Sequence, residues 1–208
     1  MPAITISRQF GSGGSEIAKL LGTRLGWAVV DNEFVELVSQ KAGVPKPDVE
    51  RLEERVPGLL ERLAQALALA SPEAFVTGET PTTGPSAEDE IHRVTQAVIA
   101  EAVKHNVVLV GRGAQAYLAA RDKVLHVFLA APAEVRVTRT MERLKIDRKE
   151  AERTVERTDR ERREYVKTYY GRGWGDPANY DLTINTDRFK YAEVVELIVD
   201  ALKKRGWA

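Results

Sequence analysis

Arg8, Gly11, Gly13, Gly14 and Ser15 stand close together near the start of the chain, and the chemistry they suit is anion binding. Glycines let backbone N–H groups converge on an oxyanion, and a helix opening at Ser15 would add the positive end of its dipole. Against the nucleotide-binding pattern G-x-x-x-x-G-K-[ST], the magnesium-binding hydroxyl falls on Ser15, the lysine on Gly14 and the first glycine on Arg8. The stretch therefore reads as a phosphate cradle without its usual cation, with Arg8 the nearest replacement in sequence. A glycine-rich turn capped by Ser15, with Arg8 a solvated charge, would carry the same residues. The other parts of the chain have to decide between them.

Three further polar residues follow apolar runs. Asp31 comes directly after Trp27–Val30, and it suits equally a cap for a helix beginning at Phe34 or a ligand contact. Arg112 emerges from Val107–Val110 between Gly111 and Gly113, a placement that suits bidentate binding of a phosphate better than a plain ion pair. Asn185 follows the run Tyr180–Ile184.

The elements that must position these residues are legible as patterns. Apolar runs at 3–6, 27–30, 107–110, 124–129 and 180–184 predict five strands, and their unbroken character predicts burial on both faces of a parallel sheet. Helical spacing between them predicts α/β alternation, with polar groups gathered at the strands' C-terminal ends. Expected helices run from about Ser15 to Leu25, from Phe34 to near Gly43, Glu88–His105, Ala114–Ala119, Ala133–Leu144, Ile146–Tyr170 and Ala192–Lys204. Residues 45–86 differ in character. Pro45 and Pro47 open them, a helical stripe follows, and 77–86 contain no large apolar residue, which predicts an inserted helical lobe with a loose connector. Arginines crowd 136–163 but are interleaved with glutamates, so most belong to a solvated face laced with i,i+4 pairs.

Composition bounds the rest. The 208 residues suit one α/β domain, with 43% hydrophobic and 30% charged residues typical of a globular chain. Basic and acidic residues number 31 each, so no net field argues for nucleic acid or membrane, and neither is expected as a partner. The absence of cysteine excludes disulfides and thiolate metal sites. No signal-peptide pattern and no spanning run is evident, which leads to the expectation of a cytoplasmic protein.

The segments ITISRQFGSGGSEIAKLLGTRLGW, VVLVGRGAQAYL, TDRERREYVKTYYG and YDLTINTDRF resemble the cytidylate kinase-like family, within the nucleoside monophosphate kinase group of P-loop proteins. The resemblance runs from Ile4 to about Asp187 in the expected order and is weak across 45–86. It implies a three-layer α-β-α fold around a five-stranded parallel sheet, as one domain with a helical acceptor-side insert at 45–86 and an arginine-rich lid at about 139–176. It also implies ATP and Mg2+ as cofactors, and transfer of the γ-phosphoryl group to a nucleoside monophosphate or similar small phosphate acceptor.

Carried over by position, Gly11, Ser12, Gly13, Gly14 and Ser15 match the donor-phosphate loop, with Ser15 near magnesium, and Asn185 joins the cofactor side. Asp31 opens the acceptor region. Arg112 matches the arginine of a turn that holds the acceptor phosphate, and Asp159 and Arg162 match an Asp-x-x-Arg pair that helps bind the monophosphate. Arg136 and Arg139 resemble lid-edge arginines that reach the transferred group. The family lysine is Gly14 here, which makes Arg8 the candidate cation. The acidic residue after the turn arginine is Gly113, which removes a group that reads the base. The missing lysine also leaves open a nucleotide-binding protein without turnover.

Overall fold

A computed structural model of the chain describes residues 1–31 and 87–207. The helix expected from Phe34 and the insert expected at 45–86 lie outside the described residues. Five strands form one parallel sheet: β1 (Ala3–Arg8), β2 (Ala28–Asp31), β3 (Val107–Val110), β4 (Val124–Ala130) and β5 (Leu182–Asn185). Their order is β2-β3-β1-β4-β5, and every neighbouring pair is parallel.

Helices lie on both faces. They are α1 (Gly14–Leu25), α2 (Ala87–Ala102), α3 (Ala114–Tyr117), α4 (Ala133–Leu144), α5 (Arg148–Tyr170) and α6 (Tyr191–Lys204). Ile4, Ile6, Val108 and Val127 face Ile17 and Leu21 of α1 and Val194, Ile198 and Leu202 of α6. The alternate strand residues Ala3, Val107 and Leu109 face Val98, Ile99 and Ala102 of α2. Because successive side chains point to opposite covered faces, β3 is apolar at every position, β4 at all but His126, and β1 at Ala3, Ile4 and Ile6. Each fully buried Ile or Leu contributes about 1.5–3 kcal/mol of burial free energy.

One strand begins later than its apolar run suggests. Tyr180 and Asp181 precede β5, because Pro177–Asn179 form a short 3-10 turn in which the Asp176 carboxylate accepts from Ala178 N–H at 3.0 Å. Tyr180 instead packs its ring beside Phe128 and donates its hydroxyl proton to the Trp174 carbonyl.

The pair α4 and α5 is built on Val137, Ala151 and Val155, with Phe10 against them. Asp147 caps α5, accepting from Glu150 N–H at 2.9 Å. The outer face of α5 is the solvated charge lattice its sequence predicts, with Arg148 pairing with both Glu134 and Glu152.

The strand order fixes where a ligand can enter. From β1 the chain passes to β2, beyond β3, whereas from β3 it returns across β1 to β4. The direction of winding therefore reverses between β1 and β3, and a crevice opens at their C-terminal ends. Arg8 ends one of those strands, and Gly111-Arg112-Gly113 follows the other.

Candidate functional site

The loop between β1 and α1 is anchored at several points. Gln9 N–H donates to the Leu129 carbonyl, and Ser12 donates both its N–H and its hydroxyl to the Gln9 carbonyl. Helix α1 opens at Gly13 with no side-chain cap. Its first N–H groups therefore face outward, as an anion-binding helix start requires.

Arg8 lies across this loop and is 4% exposed. A Cβ at position 14 would stand 2.7 Å from Arg8 Cγ, and one at position 111 would fall on the Arg8 guanidinium. Glycine at 14 and at 111 therefore makes room for one arginine side chain, with the stem on Gly14 and the head against Gly111. The helix start carries no lysine, and the cation packed against it comes from the end of β1. Arg8 Nη2 lies 3.4 Å from Asp31 Oδ1, while Ser15 Oγ donates to Asp31 Oδ2 at 3.2 Å. Asp31 thus faces the cradle and joins the strand cation to the helix hydroxyl. The helix that Asp31 could cap falls outside the described residues.

Between β1, β3 and α5 lies a cleft of about 320 Å³, walled by Arg8, Phe10, Arg112, Arg162, Tyr165 and Trp174. Among the described residues, three guanidinium groups and three aromatic rings face this space, and Glu161 is the one carboxylate on its wall. Arg112 sits in the left-handed backbone region with φ 47° and holds its guanidinium carbon 5.3 Å from the Tyr165 ring centre. Burial pushes the Tyr165 phenol well above its usual pKa, so it is neutral at physiological pH.

Asp159 and Arg136 are buried and serve the loop. Asp159 accepts from Phe10 N–H at 2.7 Å and from Arg136 Nη1 at 2.7 Å. Arg136 also donates to the carbonyls of Phe10 and Ala131. Arg162 donates to the Arg8 carbonyl at 2.8 Å, so two of the cleft's three arginines are tied through backbone. Arg139 donates to the hydroxyl and the carbonyl of Thr186 and borders a hollow beside Gly11, Gly13 and Tyr191.

At the end of β5 the Asn185 carboxamide accepts from Asp187 N–H and closes a local turn. The contact with the cradle comes from the next residue. Thr186 is buried and donates to the Ser12 carbonyl at 2.8 Å. Sequence reading passed over Thr186 because a threonine after a strand has many uses; its position one residue past a strand end was the available signal. Trp174 and Tyr165 also line the cleft, and no motif or spacing in the sequence singles out either residue.

An oxygen-seeking cation fits beside Ser15 Oγ and Asp31, which together offer a hydroxyl and a carboxylate. Among the described residues no group of three or more His, Cys, Asp or Glu could hold a metal alone. Magnesium does not require one, since it is commonly held by one or two protein oxygens with substrate phosphates and water.

The sheet order, the glycine loop between β1 and α1 and the crevice above them define an α/β protein of the P-loop kinase type. The chain belongs to the cytidylate kinase-like family, whose sequence pattern matches residues 3–188. A cytidylate kinase from Staphylothermus marinus is 30% identical over 121 residues, which is 58% of this chain and 66% of that protein. A uronate isomerase from Corynebacterium glutamicum is 29% identical over 120 residues, but the chain spans only 23% of that protein. These curated relatives are thus each covered over less than two thirds of their length.

Among solved structures, an uncharacterized protein from Eubacterium ventriosum superposes with a TM-score of 0.68 at 20% identity, covering 98% of this chain and 99% of that one. Shikimate kinase from Bacteroides thetaiotaomicron gives a TM-score of 0.55 at 13% identity, covering 97% and 98%. Both share the fold. Among the described residues no helix is long and apolar enough to cross a membrane.

Proposed function

We propose that this protein is an ATP-dependent phosphotransferase that moves the γ-phosphoryl group to a nucleoside monophosphate or a similar small phosphate acceptor. The observation that carries this reading is the packing of the Arg8 stem on Gly14, where the motif lacks its lysine, with its buried guanidinium reaching Asp31, the carboxylate that Ser15 also contacts. Phosphoryl transfer depends almost wholly on positioning and on neutralising phosphate charge, so the location of the cation matters more than which residue supplies it.

In this reading Gly11, Ser12, Gly13 and Gly14 cradle the donor phosphates, and Arg8 supplies the charge. Magnesium, held by Ser15 and Asp31, would neutralise the same phosphates when bound. Arg112 and Arg162 hold the acceptor phosphate across the cleft, so that its oxygen attacks in line with no covalent enzyme intermediate. Asp159 and Arg136 keep the loop at Phe10 in place, and Arg139 borders the donor side. Tyr165, Val166 and Trp174 line the cleft and limit water there. Residues 45–86 would be the acceptor-side lobe and 139–176 the lid, in a cytoplasmic enzyme with no nucleic-acid partner.

A second reading, a nucleotide binder without turnover, draws on the same Gly14. A coupled ADP-release assay with CMP, UMP, AMP, dCMP and shikimate-like acceptors separates the two. ADP release with at least one acceptor is the expected result. ATP binding with no release across the panel would sink the kinase reading and leave the binder.

A further inference from the structure

We propose that His92 is a positioning residue for the acceptor arginine, acting on Arg112 through Tyr165. This rests on the acceptor role given to Arg112 above. His92 projects from α2, outside the cleft, and its imidazole is fixed on several sides. Nδ1 lies 2.7 Å from the Tyr165 hydroxyl and Nε2 lies 3.0 Å from the Gln96 amide. The ring stacks on Tyr169 at 4.0 Å with an interplanar angle of 14°, and Tyr170 meets it edge-on at 5.5 Å. Such a setting fixes a ring rather than freeing it for proton transfer. Its consequence reaches the cleft through one side chain.

Among its neighbours, Tyr165 joins two of different kinds. Its hydroxyl end meets His92, and its ring face carries the Arg112 guanidinium while lining the cleft. A phenol at the margin of a cleft could hydrogen-bond to water and turn freely. Bonded to a stacked imidazole, it presents one face in one orientation.

Arg112 needs that support. A residue with a Cβ at φ 47° occupies a costly backbone region that persists only where its surroundings hold it. The following position explains why glycine replaces the family's acidic residue: a Cβ at 113 would stand 2.5 Å from the Tyr170 ring and 3.3 Å from the Tyr165 ring. The tyrosines of α5 occupy the space beside the turn that an acidic side chain would need. The His92–Tyr165 pair thus takes a share in positioning the acceptor arginine.

The test is a double-mutant cycle on His92→Ala and Tyr165→Phe. Tyr165→Phe keeps the ring under Arg112 and removes the hydroxyl that bonds to His92. With CMP as the acceptor probe, each single change is expected to raise acceptor KM roughly tenfold, with kcat and the KM for ATP within about twofold of wild type. The double variant is expected to match the singles, because both remove one interaction. His92→Asn, which keeps a nitrogen near the place of Nδ1, should recover most of the loss.

A readout without turnover accompanies this. The Arg112 side-chain proton signals, shifted by the Tyr165 ring current, should move toward free-arginine values in both single variants, while thermal melting stays near wild type. Unchanged Arg112 signals would overturn the proposal. So would effects on KM that multiply in the double variant, or a fall in kcat at constant acceptor KM. If wild type releases ADP with no acceptor, the phosphotransfer reading fails, and the Arg112 signals alone decide whether His92 positions that arginine.

Discussion

At the scale of single residues, the informative pair is Arg8 and Gly14. If Arg8 is the working cation, Arg8→Ala should lower kcat/KM by roughly 10²–10³-fold, the usual cost of losing one preorganised charge partner. ADP release with the best acceptor measures it, and activity within twofold of wild type would refute the role. The packing adds a less obvious expectation. Restoring the motif with Gly14→Lys should not raise activity while Arg8 remains, because any Cβ at 14 meets the Arg8 stem at 2.7 Å. The double change Arg8→Ser with Gly14→Lys relieves that clash and should recover activity that either single variant lacks. The lost lysine and the nearby arginine were both legible in the sequence. That each excludes the other was not, because it depends on the side chain lying across the loop and against Gly111, a contact between strands far apart in the chain. Thr186 stood in view one residue past a strand end, but its bond to the Ser12 carbonyl was not readable from that position.

At the scale of elements, α5 is bound to the cradle as well as lying over it. Asp159 takes the Phe10 N–H and Arg136 on one carboxylate, and Arg162 takes the Arg8 carbonyl, so one helix holds the loop at two adjoining positions. Removing one partner of a buried ion pair leaves an uncompensated charge, typically at a cost of about 3–5 kcal/mol. Asp159→Ala should therefore lower the melting temperature by roughly 6–20 °C for a chain of this size. Arg157→Ala, which breaks an exposed pair at 3.8 Å, should shift it by no more than a degree or two. Equal shifts for the two variants would show that the Asp159 network is not holding the loop. The helices and strands themselves were readable, because apolar runs and helical stripes are local signals. The late start of β5 was not. Tyr180 looks like a strand residue by type, yet its ring is drawn into the cluster with Phe128 and Trp174.

At the scale of the whole molecule, the sheet carries a histidine whose protonation the fold resists. His126 on β4 shares a 2.7 Å hydrogen bond with Thr5 Oγ1 on β1, so the contact links two neighbouring strands at the centre of the sheet. Burial lowers its pKa, which Asp181 opposes and Arg172 and Arg205 reinforce. The sign follows from which state binds the proton more readily. As pH falls through about 6.5, the unfolded chain takes up a proton that the folded chain still refuses, so protonation favours unfolding. The contribution is complete above that pH and is lost as pH falls toward the lowered folded value. A single proton limits the slope to about 1.4 kcal/mol per pH unit, and partial exposure makes it smaller. His92 is also shifted down by burial and adds a slope of the same sign. Urea unfolding at pH 7.5 and 5.5 should therefore show wild type losing stability on acidification, with His126→Asn losing measurably less and His126→Asn with His92→Asn less again. If the His126→Asn variant falls as steeply as wild type, the β1–β4 histidine is not what ties the stability of this sheet to pH.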